Sequence, residues 1–183
     1  DIALNDLKSS GRGGIRMFTQ SMFEALKVTT QQLTLARSIL KSDSIEPYYQ
    51  PKVLLQDGRV IGFEALLRWH DEQLGPVSPE RFVAVAEATG LILPLSEWVL
   101  EQVCQQICLW QQAGTPLRVA VNSSAHQFNQ PDLAQQVANV LQRSGAPAAL
   151  LDIEITETVV MARPDQARKQ IAALVALGCS VAL

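Results

Sequence analysis

Between Val60 and Trp69 the chain reads at strand period. Ile61, Phe63, Ala65, Leu67 and Trp69 fall on one face and are all apolar, while Val60, Gly62, Glu64, Leu66 and Arg68 fall on the other. A second strand, Tyr48–Leu55, precedes it across Gln56-Asp57-Gly58. Asp-Gly is a hairpin signal, so these two strands are expected to pair antiparallel. A polar loop through Gly75-Pro76 follows. Ser78 and Pro79 then open a helix as N-cap and first helical residue, and Gly90 closes it. After Pro94, Ser96 caps a longer helix with Val99, Val103, Ile107 and Trp110 as its buried stripe and Gly114 at its end. From there strand and helix alternate: strand Leu117–Asn122, helix Pro131–Arg143, strand Leu150–Thr156, helix Pro164–Leu177, strand Cys179–Leu183. Strands separated by helices of this length imply βαβ units and a parallel sheet, so the fold class is α/β.

The first 44 residues follow a different pattern. Residues 1–18 read as a short helix, a glycine-rich turn at Gly11-Arg12-Gly13-Gly14 and a short strand. Residues 19 to about 41 read as a helix rich in Gln, Thr and Ser, with Phe23, Leu26, Leu33 and Leu40 loosely at helical spacing. Such a helix suits a connection more than a core. Ser42-Asp43-Ser44 breaks it, which divides the chain into 1–18, a linker 19–44, and a domain 45–183.

Composition narrows the classes. The 183 residues are 48% hydrophobic and can bury a sizeable core, and the net charge of −3 gives no basic footprint for a nucleic acid polymer. No apolar run is long enough for a membrane helix and no leader pattern is present; the expected location is cytoplasmic, the parent protein being free to carry a tether elsewhere. The first residue is Asp1, so the chain reads as part of something longer. Cys104, Cys108 and Cys179 have no histidine at ligand spacing and read as reduced thiols rather than zinc ligands.

The chemistry sits in the polar strand positions. If both faces of Val60–Trp69 are buried, Glu64 and Arg68 need partners, because an unpaired buried charge costs about 3–5 kcal/mol. A metal ion or a phosphate would supply them; an internal Glu64–Arg68 ion pair on a half-exposed strand would do so as well. Asn122 opposes Val119 and Val121 in parity, and Glu154 opposes Ile153 and Ile155. Three strands thus each carry one oxygen donor near the carboxyl end, Glu64, Asn122 and Glu154, where open α/β sheets and barrels place their sites. Two carboxylates and an amide form a hard oxygen cage suited to Mg²⁺, Mn²⁺ or Ca²⁺. Such an ion polarises a phosphoryl oxygen and activates water, and Arg68 could grip a phosphate through two parallel hydrogen bonds. Asn122 followed by Ser123-Ser124 could also be strand-end turn chemistry, and Glu157 could simply charge the entry to the next helix.

These residues carry a resemblance. Phe63-Glu64-Ala65-Leu66-Leu67-Arg68-Trp69 is similar to the name motif of the EAL domain family, and Tyr48-Tyr49-Gln50-Pro51-Lys52-Val53 resembles its opening strand. Gly75–Phe82 and Ala86–Ile92 resemble the segments after the motif. Val121-Asn122-Ser123-Ser124 and Glu154-Ile155-Thr156-Glu157 fall where the family has its Asn and Glu-x-Thr-Glu elements. The resemblance runs from about Ile45 to Leu183. It implies a (β/α) TIM-type barrel whose first strand is antiparallel, and a bacterial phosphodiesterase that opens cyclic di-GMP to linear pGpG by in-line attack of water, using Mg²⁺ or Mn²⁺. It implies Glu64, Asn122 and Glu154 as metal ligands, with Glu64 and Glu157 in the catalytic set. Glu157 would hold the loop that ties the metal site to a homodimer. Gln50, Arg68 and Pro94 are implied on the cyclic di-GMP side. Ser123 stands where an apolar residue is more usual. Residues 1–18 resemble the tail of a GGDEF domain.

The chain ends at Ser180-Val181-Ala182-Leu183, before the paired aspartates, catalytic lysine and later acidic residues of the family. With about five strands of the eight a closed barrel needs, it is expected to be inactive alone. A non-catalytic module that binds cyclic di-GMP or a partner protein is the other reading; retention of Glu64 counts against it.

Overall fold

The computed structural model describes residues 45–71 and 75–183. The GGDEF-like tail over 1–18 and the linker helix over 19–44 lie outside the described residues.

Strand β1 (Ile45–Val53) and strand β2 (Val60–Asp71) form the expected antiparallel pair, with Gln50 opposite Glu64 and Lys52 opposite Gly62. The turn between them is held by Gly58 N–H donating to Leu54 O and by Asp57 Oδ1 accepting from Arg59 N–H. A three-residue strand β3 (Gly75–Val77) pairs antiparallel with the end of β2, where the sequence pattern predicts only a polar loop. Helix α1 (Pro79–Thr89) begins after Ser78 and ends at Gly90, whose φ of 76° is the left-handed conformation expected of a terminating glycine. The Ser78 hydroxyl makes no capping bond.

Helix α2 (Ile92–Gln112) starts five residues earlier than the Ser96 cap predicts. Pro94 lies inside its first turn, where a missing N–H has no intrahelical partner to lose. Burial of Ile92 and Leu95 anchors this extra turn. Strand β4 (Arg118–Asn122), helix α4 (Leu133–Ser144), strand β5 (Leu151–Glu154), helix α6 (Pro164–Ala176) and strand β6 (Ser180–Ala182) follow the predicted alternation. Two short helices add to it, α3 (Ala125–Phe128) after β4 and α5 (Glu157–Ala162) after β5.

The sheet has six strands in the order β1-β2-β4-β5-β6, with β3 off the path; β2, β4, β5 and β6 run parallel. This is the expected α/β architecture, a barrel arc with its first pair antiparallel.

The register sorts the side chains into two faces. Val119, Val121, Leu151, Ile153 and Ile155 are buried against the helices, in one core with Val99, Val103 and Ile107 of α2 and Val137 and Leu174 of α4 and α6. Aromatic edges seal β1 and β2: Trp110 lies 5.1 Å from Tyr49 and 4.8 Å from Phe63, and Trp69 meets Phe82 edge-on at 5.8 Å. The other face holds Lys52, Gln50, Gly62, Glu64, Arg118, Ala120, Asn122, Asp152 and Glu154, so the polar residues of separate strands converge on one inner surface. No helix among the described residues is long and apolar enough to cross a membrane.

Candidate functional site

Parallel register brings the strand-end donors together. Glu64 on β2 stands level with Ala120 on β4, and Asn122, two residues further along, stands level with Glu154 on β5. The Asn122 side-chain amide donates to Glu64 Oε1 at 2.8 Å. The internal Glu64–Arg68 ion pair of the structural reading is replaced by other contacts. Arg68 Nη1 donates to Leu67 O at 2.9 Å, and the guanidinium lies 5.9 Å from the centroid of the Tyr48 ring. That leaves most of the Arg68 fork facing solvent on the inner surface.

Glu154 has a partner that strand periodicity does not reveal. Lys52 Nζ donates to Glu154 Oε1 at 2.9 Å, joining residues 102 apart in sequence. β1 and β5 are three strands apart in the sheet, about 14 Å if it were flat. The pair therefore forms only because the sheet curves. Beneath it a second ion pair crosses the same face, Arg118 Nη1 to Asp152 Oδ1 at 2.8 Å and to Ser180 Oγ at 2.7 Å.

The remaining predicted residues lie around these. Gln50, exposed, is directly opposite Glu64 in the β1–β2 register. Glu157, exposed, is the first residue of α5, directly after Thr156. Pro94 is exposed on the first turn of α2; its neighbours Leu95 and Ser96 line a cavity of about 280 Å³ between that turn, α1 and the ends of β2 and β4. Arg68 and Asn122 line the same cavity, as does Thr156. The turn-chemistry reading of the segment after β4 holds for Ser124, whose Oγ accepts from Gln127 N–H at 3.2 Å to cap α3. Asn122 itself faces Glu64.

Among the described residues no group of three or more His, Cys, Asp or Glu side chains converges to hold a metal ion. The donor set is instead two carboxylates and an amide, which fits a hard divalent cation bound by oxygen. Glu154 already carries a cation in this structure, the Lys52 ammonium on Oε1, so this carboxylate is within reach of a positive charge on the inner face. The cysteines stand apart from the site. Cys104 and Cys179 are buried free thiols, and burial pushes each up to about 11, so both are protonated at neutral pH.

The EAL domain family profile matches residues 31–183. The chain belongs to the EAL domain family. Over its whole length it is 37% identical to the bifunctional diguanylate cyclase/cyclic di-GMP phosphodiesterase MucR of Pseudomonas aeruginosa, covering 27% of that protein. It is 35% identical to the cyclic di-GMP phosphodiesterase PdeR of Escherichia coli, covering 28% of it. The EAL chain thus spans about a quarter of the length of these curated relatives. Among solved structures it is similar to the PaMucR phosphodiesterase in complex with c-di-GMP, at 39% identity and a TM-score of 0.79 over 82% of this chain and 62% of that one. It is also similar to the Xanthomonas citri FimX EAL domain in complex with c-diGMP, at 25% identity and a TM-score of 0.73 over 86% and 61% of the two chains. These relatives place the six described strands in an incomplete EAL barrel.

Proposed function

We propose that the protein containing this EAL chain hydrolyses cyclic di-GMP to linear pGpG in bacterial second-messenger signalling, with Mg²⁺ or Mn²⁺ as cofactor. The observation that carries the reading is the contact between Glu64 and Asn122 on neighbouring strands, with Glu154 level with Asn122 on the next. In this reading Glu64, Asn122 and Glu154 hold the cation. The bound ion supplies a Lewis acid for the phosphoryl oxygen and activates water. Arg68, free to swing its fork from the Leu67 carbonyl, takes a phosphate oxygen. The cavity beside it offers apolar walls from Leu66, Val83 and Leu95 with polar groups at its mouth, suited to a flat base. Gln50 and the Pro94 turn flank the same ligand. Glu157, at the start of α5, holds the segment after β5, through which the site is coupled to a homodimer of the parent.

The test is cyclic di-GMP hydrolysis by the full-length protein and its Glu64→Ala variant with Mg²⁺ or Mn²⁺ supplied. Metal-dependent pGpG formation that disappears in the variant supports the enzyme. Binding without product by well-folded wild type leaves a receptor instead.

A further inference from the structure

Lys52 ends the inner face of β1, opposite Gly62, and its side chain crosses the concave surface to Glu154. Gly62 on β2 and Ala120 on β4 are the smallest residues of this inner face between the two. Both charged groups are partly exposed, at 39% and 24% of their side-chain surface. The ammonium is therefore held by one carboxylate on a flexible four-carbon stem and can turn to solvent.

We infer that Lys52 is a resident counter-cation for Glu154, which neutralises this carboxylate when no divalent ion is bound and competes with the ion for it. The inference rests on the proposed role of Glu154 in holding the metal. A dication bonded to Glu154 would stand within a few ångströms of the ammonium, and like charges at that range repel even when partly solvated. Binding of the ion then requires the lysine to leave. The alternative role is orientation: Lys52 could grip Oε1 and present the second oxygen to the ion, in which case removing it would weaken metal binding. The two roles predict opposite signs.

The experiment is calorimetric titration of Mn²⁺ into the chelator-stripped full-length protein, its Lys52→Met and Lys52→Arg variants, and both Glu154→Gln and the double variant Lys52→Met/Glu154→Gln. A partly exposed ion pair is worth about a two- to five-fold change in an equilibrium constant. Lys52→Met is expected to bind Mn²⁺ tighter by about that factor, and Lys52→Arg to stay near wild type. In the Glu154→Gln background, Lys52→Met should change the affinity no further. Unchanged or weaker Mn²⁺ binding by Lys52→Met, with wild type binding normally, overturns the counter-cation role and leaves the metal site standing. Failure of the wild type itself to bind Mn²⁺ overturns both.

Discussion

Asn122 reaches from the end of β4 to the Glu64 carboxylate on β2 at 2.8 Å, donating through its amide nitrogen. That nitrogen is what allows the two side chains to touch without an ion between them. A carboxylate at position 122 would face another carboxylate, and like charges at hydrogen-bond range cannot both ionise freely. Asn122→Asp is therefore expected to destabilise the metal-free protein by about 1 kcal/mol, the worth of the lost hydrogen bond. Mn²⁺ should then raise its melting temperature by more than it raises that of wild type, because a ligand that binds only the folded state adds stability. Thermal melts with and without Mn²⁺ check both halves, and equal metal responses would argue against a shared cation site.

Arg68 is spared an ion pair within its own strand and rests against Tyr48. Its proposed partner is a ligand phosphate, which a guanidinium grips with two parallel hydrogen bonds and an ammonium cannot. Arg68→Lys in the full-length protein should raise KM for cyclic di-GMP by about tenfold, the scale of one charged hydrogen bond, with kcat little changed. Steady-state kinetics would separate the two. A fall confined to kcat would move Arg68 from binding to the chemical step.

The residues that periodicity can see are those whose whole strand alternates. The parity of Glu154 between Ile153 and Ile155, and of Asn122 beside Val121, is local, and the register places both where that parity points. The antiparallel start of the sheet was equally legible, because Asp57-Gly58 joins two alternating runs. The start of α2 was not, since a proline usually reads as a boundary; here it occupies a first turn whose N–H groups are free in any case. β3 has three residues and exists only by pairing with the end of β2, so no pattern of its own could mark it. Lys52 was invisible for a related reason. Its partner is set by the curvature of the sheet, a property of all the strands together, and a lysine near a strand end is otherwise an ordinary solvated residue.

Gly62 makes a sharper claim about the same curvature. A Cβ built there would stand 2.8 Å from the backbone oxygen of Arg118 on β4, closer than such contacts allow. Gly62→Ala must push β2 and β4 apart or twist one of them, at a cost of about 1–3 kcal/mol. Urea unfolding should show the loss as a lower midpoint. Glu64, two residues along, would shift relative to Asn122, so any metal affinity should fall as well. A substitution that leaves the midpoint unchanged would mean that the strands have slack at this level.

The buried thiols predict how stability responds to alkaline pH. Burial pushes Cys104 and Cys179 from an ordinary 9.0 up to about 11 in the folded chain. The unfolded chain therefore releases these protons first. Their contribution to stability is complete below about pH 9 and is lost progressively as pH rises through the window to about 11. Replacing both by alanine or serine would open cavities or bury hydroxyls and confuse the reading, so Cys→Val at each site is the better probe, valine being similar in size and unable to ionise. Wild type should lose stability between pH 9 and 11, and the double valine variant should lose distinctly less, in denaturant melts at each pH. Tyr49 is pushed up to about 12 by burial and adds a further loss in both proteins from pH 10. Parallel declines in the two proteins over pH 9 to 11 would show that the thiols keep no proton advantage in the fold.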